Sequence, residues 1–343
     1  MSKTLKTLFI VAGMLALVSL GACTREITTV QQVDPGASNC FSCHSDQDTY
    51  LVSAEQQWAN SLHASGLNTN RASSASCSGC HSSEGFLDLV AGNNPGTYTN
   101  PTAIHCFTCH APHSTSDFSL RSTDPVALVT GDQIDIAAGN LCAVCHKARR
   151  GTNTMVATPE VTITSTHWGP HYSPQADMLA GVNGYEFAGF TYTETEYHRT
   201  LTDNGCVDCH FDLGRNFVVG GHSFNMRADL EGTEVLNTAT CVKCHTGLNT
   251  FNYNGVQDSV AALGHELELL LEAAGLYHDG HPVAGVTTSQ DSAGALWNYI
   301  ITIANDRSLG VHNPKYIIGL LQSSIEFMQG VPAANELARG MQD

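Results

Sequence analysis

The sequence predicts a mainly α-helical chain with extensive irregular loops and little or no β-sheet. Three observations carry this. Short Cys-x-x-Cys-His runs recur six times, Gly, Ser, Thr and Asn crowd the segments between them without sustained strand alternation, and three apolar stripes at helical spacing follow residue 250.

The chain begins with Lys3 and Lys6, an apolar run from Leu8 to Leu20, then Gly21 and Ala22. This is the charged, hydrophobic and small-residue layout of a secretory signal, and the run is short for a membrane span. Leu20-Gly21-Ala22-Cys23 resembles a bacterial lipobox, which predicts a signal over 1–22, a diacylated Cys23 and a polar tether over 23–39. Thr24, in place of an Asp that would favour inner-membrane retention, points to an outer-membrane lipoprotein. The plainer reading is an ordinary signal peptide with a Cys near its cleavage site. Export follows either way.

The six runs are Cys40/Cys43/His44, Cys77/Cys80/His81, Cys106/Cys109/His110, Cys142/Cys145/His146, Cys206/Cys209/His210 and Cys241/Cys244/His245, all inside 40–250. Cysteines three apart lie about one helical turn from each other, so both sulfurs reach one porphyrin edge while the next residue aims an imidazole at the iron. The pattern reads as c-type haem attachment, and six complete runs set aside zinc sites or redox dithiols. Six covalently bound haem c groups are expected. They use twelve of the thirteen cysteines, leaving Cys23 for the lipid and none for a disulfide framework. The first four runs begin 37, 29 and 36 residues apart, then gaps of 64 and 35 follow; close spacing favours stacked haem pairs.

Seventeen histidines are present, and only six follow a Cys pair. A low-spin iron needs a second axial ligand. Methionine and lysine are scarce in the mature chain, so bis-histidine ligation is the economical reading, with low potentials because Met ligation is what raises them. Sequence context selects His63, His113, His171, His198, His222 and His312 as distal ligands. His105 and His167 stand in reserve, whereas His265, His278 and His281 read as surface residues.

Beyond the last run, 251–343 forms a C-terminal helical region that supplies a distal His. Val256 to Ala274 puts Val256, Val260, Leu263, Leu267, Leu270 and Leu271 on one stripe, Ala295 to Ile303 gives a second helix, and Pro314 to Met328 a third with Pro in its first turn. Gly275 and Gly310 read as stop signals. These stripes imply core packing and no new chemistry.

Cys-x-x-Cys-His-x-Pro-His at 106–113, Gly-His-Ser-Phe at 221–224 and Val-His-Asn-Pro-x-Tyr at 311–316 resemble the multihaem cytochrome superfamily that includes pentahaem nitrite reductases and octahaem hydroxylamine oxidoreductases. The resemblance spans roughly residues 40–329. It implies haems packed in parallel and perpendicular pairs, in a family that holds both enzymes and pure electron carriers. Nitrite reductases of this family carry a Cys-x-x-Cys-Lys run, whereas all six runs here end in His.

The formal charge is -17 and haem propionates add to it, which argues against nucleic acid and for redox proteins or extracellular acceptors as partners. No paired-carboxylate, nucleophilic or phosphate-cradling constellation appears. The sequence therefore predicts a hexahaem electron-transfer conduit of anaerobic, extracellular-type respiration, anchored to the membrane through Cys23. Two other readings stay open: an oxidoreductase for nitrite, hydroxylamine or tetrathionate with one open haem, and a homo-oligomeric subunit of a cytochrome filament.

Overall fold

A computed structural model describes residues 49–192, 197–212 and 217–330. The signal and tether, Cys23 and the first run (Cys40, Cys43, His44) lie outside the described residues. The chain divides into two units, 1–52 and 53–343; of the first, only the start of helix Thr49–Ala59 is described.

Each described Cys-x-x-Cys-His run sits on about one turn of helix. The turns are Ala75–His81, Cys106–Cys109, Asn140–Ala143, Cys206–His210 and Cys241–Cys244. Single turns are unstable alone, so local caps and packing hold them. At the third run the cap is a histidine: His105 Nδ1 accepts from Phe107 N at 3.2 Å while Thr108 Oγ1 accepts from His105 N at 2.9 Å.

Sheet structure is confined to two-stranded antiparallel ribbons among the described residues. Val126–Ala127 pairs with Gln133–Ile134, Glu160–Thr162 with Thr287–Ser289, Arg227–Leu230 with Thr233–Leu236, and Tyr277–His278 with His281–Pro282. The mainly α architecture with irregular loops is the one the sequence predicts.

The C-terminal stripes build an apolar core. Helix Val256–Ala273 buries Val260, Leu267 and Leu271 against Tyr316, Ile317, Leu320 and Leu321 of helix Pro314–Gln329, with Trp297 of helix Gln290–Tyr299 between them. Each fully buried large apolar side chain contributes roughly 1.5–3 kcal/mol. Gly264 permits the close approach, since a Cβ there would lie 2.7 Å from Ile303 Cδ1. Gly275 leaves the first of these helices with φ +71, as a stop signal should. The same core takes in Val156, Val161, Ile163, Trp168, Met178 and Phe187, so it draws on the middle of the chain as well.

One difference from the expected helices bears on the site. Instead of ending at Ile303, the second helix continues as a π-helix over Ile300–Asp306, whose wider turn delivers Asp306 before Arg307 (φ +60) closes it. Among the described residues no helix is long and apolar enough to cross a membrane.

Candidate haem centres

Four proximal histidines each face one distant histidine across a similar gap. Ring centroids stand 6.2 Å apart for His81 and His171, 6.3 Å for His110 and His222, 6.1 Å for His146 and His63, and 6.3 Å for His245 and His198. An iron bound on both sides by imidazole nitrogens at about 2 Å each would hold the ring centres about 6 Å apart. His210, the fifth, has the charge of His312 as a neighbour, and so does Cys206 of the same run. His113 lies on the short helix Pro112–Thr115. Its sequence-based counterpart, His44, is outside the described residues.

The second nitrogen of these rings is also engaged, as a metal-bound histidine requires. Nδ1 of His198 lies 2.6 Å from Val311 O, that of His210 2.9 Å from Phe224 O, that of His146 3.3 Å from Gln175 Oε1, and that of His110 3.4 Å from Ser119 O. His312 differs: its Nδ1 meets the Asp306 carboxylate at 2.6 Å. These contacts turn Nε2 toward the gap. Burial lowers the pKa of His63 to about 4, with the charge of His146 a lesser cause, which keeps the ring in the neutral, ligating form. Burial likewise lowers His198, His210 and His222. For His312, burial would lower the pKa but the Asp306 carboxylate outweighs it, so the net shift is upward. The donor set, spacing and ring orientation together fit haem.

Local sequence explains how the distal rings are held. Ser61 caps the turn Leu62–Ser65 that carries His63, accepting from Ala64 N at 3.2 Å, and Trp58 Nε1 donates to Ile104 O at 3.0 Å. In Gly-Gly-His-Ser-Phe, Gly221 (φ +53) lies against Gln57; a Cβ would come within 2.2 Å of Gln57 Oε1, the same oxygen that accepts from His222 N at 2.9 Å. His171 itself has φ +76, a left-handed conformation that a side chain adopts at some cost and that aims its ring at His81. In Val-His-Asn-Pro-x-Tyr, Val311 supplies the carbonyl for His198, Asn313 caps helix Pro314–Gln329 beside Pro314 at its start, and Tyr316 Oη accepts from Gly184 N at 3.0 Å.

The remaining histidines serve other ends. His105 is the helix cap described above, and His265 and His278 are exposed beside Glu268 and Asp279. His167 and His281 approach to 6.4 Å, yet both are exposed and neither follows a Cys pair; His167 Nδ1 is engaged with Tyr172 Oη at 2.6 Å. Sequence reasoning missed Asp306, Gln57 and Tyr253, whose ring lies 3.9 Å from that of His245. None of these belongs to a motif, and only tertiary packing brings them in.

The cysteine sulfurs order the runs in space. Cys80 of the second run hydrogen-bonds Cys145 of the fourth, and Cys142 of the fourth hydrogen-bonds Cys206 of the fifth. Cys209 of the fifth has Cys241 of the sixth as a charged neighbour, and Cys109 of the third neighbours both Cys142 and Cys145. Porphyrin edges attached at these sulfurs would therefore be adjacent, in the order second, fourth, fifth, sixth, with the third beside the fourth. Burial pushes the Cys109 thiol up to about 11 and the Cys209 thiol up to about 12, so both are neutral S–H groups at pH 7, ready to add across a vinyl double bond.

No protein-family profile matches the chain. Curated relatives do. The C-type polyhaem cytochrome OmcB of Geobacter sulfurreducens is 22% identical, over 85% of this chain and 55% of its own length. OmcC of the same organism is 24% identical over 75% of this chain and 43% of its own. The multihaem cytochrome MtrC of Shewanella baltica is 28% identical over 35% of this chain and 19% of its own. The chain spans about half the length of the first of these relatives. Among solved structures, the undecahaem cytochrome from the S-layer of Carboxydothermus ferrireducens matches with a TM-score of 0.41 and 21% identity, over 76% of this chain and 38% of that one.

Proposed function

Since the chain belongs to the multihaem c-type cytochrome superfamily and carries covalently bound haem c, we propose that it is a hexahaem electron conduit with every iron held between two histidines. The observation that carries this reading is the facing of one proximal and one distal ring, at 6.1–6.3 Å, in four of the five described runs. His312 serves the fifth run by the same logic, and His113 pairs with His44 at the first.

Haem supplies the one-electron ferric/ferrous couple. The polypeptide does the rest. The paired histidines fill both axial positions, so electrons pass without substrate binding at iron. The sulfur contacts Cys80–Cys145 and Cys142–Cys206 keep neighbouring macrocycle edges close, and the Nδ1 acceptors fix each ring so that little reorganises when an electron arrives.

Export, a lipid on Cys23 and an outer-membrane location complete the reading, with other redox proteins or extracellular acceptors as partners. Intact mass of the mature protein is the direct test. It should equal the polypeptide from Cys23 plus diacylglycerol and six haems; five haems or fewer would remove the hexahaem claim. Cys23→Ser should release the protein from membrane fractions with its haem content unchanged, and retention of that variant in the membrane would refute the anchor.

A further inference from the structure

Fifteen lysines and arginines are set against thirty-two acidic residues in this chain, yet three of the arginines gather at one haem run. Arg149 bridges the two sides of the second run: its Nη2 donates to Ser76 O at 2.5 Å beside Cys77, and its backbone N donates to Pro170 O at 2.9 Å beside His171. Arg150 is next in sequence, and Arg71 lies on the 3₁₀ turn Thr69–Ser73, whose Arg71 carbonyl caps the start of helix Ala75–His81. All three side chains are exposed. Their charge reaches both rings, since Arg149 and Arg71 help burial lower the pKa of His81, and Arg149, Arg150 and Arg71 do so at His171. No cation acts in this way on His63, His198, His210 or His222.

We propose that Arg71, Arg149 and Arg150 make the haem of the second run the port of the conduit, where a small anionic acceptor such as a polycarboxylate chelate of ferric iron docks and takes one electron. This rests on the conduit reading and adds the place and charge class of the partner. One electron leaves a ferrous haem, which becomes ferric, and the chelated iron goes from ferric to ferrous; no proton or ligand need move. Positive charge beside an iron favours its reduced state, so the same arginines raise the potential at this end and draw electrons to it.

At the fifth run, independently, the opposite device stands. Asp306 is buried, receives Ser308 Oγ at 2.5 Å, and places a full negative charge 2.6 Å from His312 Nδ1, where the other engaged ligands meet neutral oxygens. A carboxylate partner makes the imidazole a stronger donor and favours ferric iron. Electrons therefore run downhill from the fifth run, through the fourth, to the arginine-flanked second.

The test uses dithionite-reduced holoprotein and two acceptors, ferric citrate and the cationic hexaammineruthenium(III), across ionic strength. A chain of charge -17 repels an anionic chelate, so without a local site the rate would rise with salt. Docking at the arginines predicts the reverse: the ferric citrate rate falls as salt rises, and Arg149→Gln/Arg150→Gln slows it several-fold while leaving the ruthenium rate unchanged or faster. A citrate rate that rises with salt, or that survives both substitutions, means the arginines serve only haem propionates and overturns the port. For the other end, Asp306→Asn should shift the lowest of the haem potentials upward with the low-spin count intact. Unchanged potentials would overturn the direction of flow, whereas loss of a low-spin haem would instead count against the ligand assignment beneath it.

Discussion

Cys142 and Cys206 lie 64 positions apart in the chain, and their sulfurs are hydrogen-bond partners. Two haem runs are thus joined edge to edge by the fold rather than by sequence proximity. Cys142→Ser removes one of the two attachments at the fourth run and the neighbour of Cys206 at once. The expected outcome is a protein lacking one haem, or one degraded before maturation because the cofactor is part of its core, read by intact mass and haem-stained gels. Recovery of a stable six-haem protein would show that this junction is dispensable.

Ligand pairing can be read residue by residue. His222→Ala should convert one low-spin haem to a high-spin form that binds carbon monoxide when reduced, because it leaves His110 without its opposed ring. His278, exposed on a hairpin beside Asp279, is the control, and His278→Ala should leave every low-spin signal in place. An unchanged spectrum for His222→Ala contradicts the assignment.

Acid should act late on the fourth centre. In the folded chain His63 takes up a proton only near pH 4, whereas an exposed or unfolded histidine does so near 6.5. Between those values the folded state holds fewer protons than the unfolded one, so stability declines as the pH falls through that window, and the low-spin ligation itself persists to its lower edge. Absorption and magnetic circular dichroism from pH 7 to pH 3 should show low-spin haem down to about pH 4; conversion already complete near pH 6 would contradict the burial argument.

Leu267 tests the C-terminal core apart from the haems. It is fully buried, and Leu267→Ala should cost about 2–5 kcal/mol with little effect on haem spectra in the folded protein. Denaturant unfolding followed by circular dichroism measures the loss, and a change under about 0.5 kcal/mol, the range of ordinary surface substitutions, would mean that this helix adds little to the fold.

Much of this architecture was legible in the sequence, for identifiable reasons. The attachment runs are short local motifs, and helices such as Val256–Ala273 follow from apolar period, so both can be read without tertiary information. The contexts around His63, His171, His198, His222 and His312 singled these residues out as well. Their pairing was not legible: His63 faces the fourth run and His222 the third, and such partners are chosen by chain path, not by distance along it. Asp306 gave no signal either, because a lone Asp reads as a solvated face until the π-helix turns it inward to His312. His105 shows the converse, a histidine beside a haem run whose ring is spent on capping a helix turn.

Saturation of the irons is the central claim, and one measurement addresses it directly: electron paramagnetic resonance and absorption of the six-haem protein, oxidised and reduced, with carbon monoxide and then nitrite or hydroxylamine added. The account predicts low-spin signals alone, no carbon monoxide adduct, and negligible turnover while chemical donors and acceptors exchange electrons freely. A single reduced haem that binds carbon monoxide, together with turnover above about one per second, within the ordinary enzymatic range, would contradict it and make the protein an oxidoreductase with an open iron.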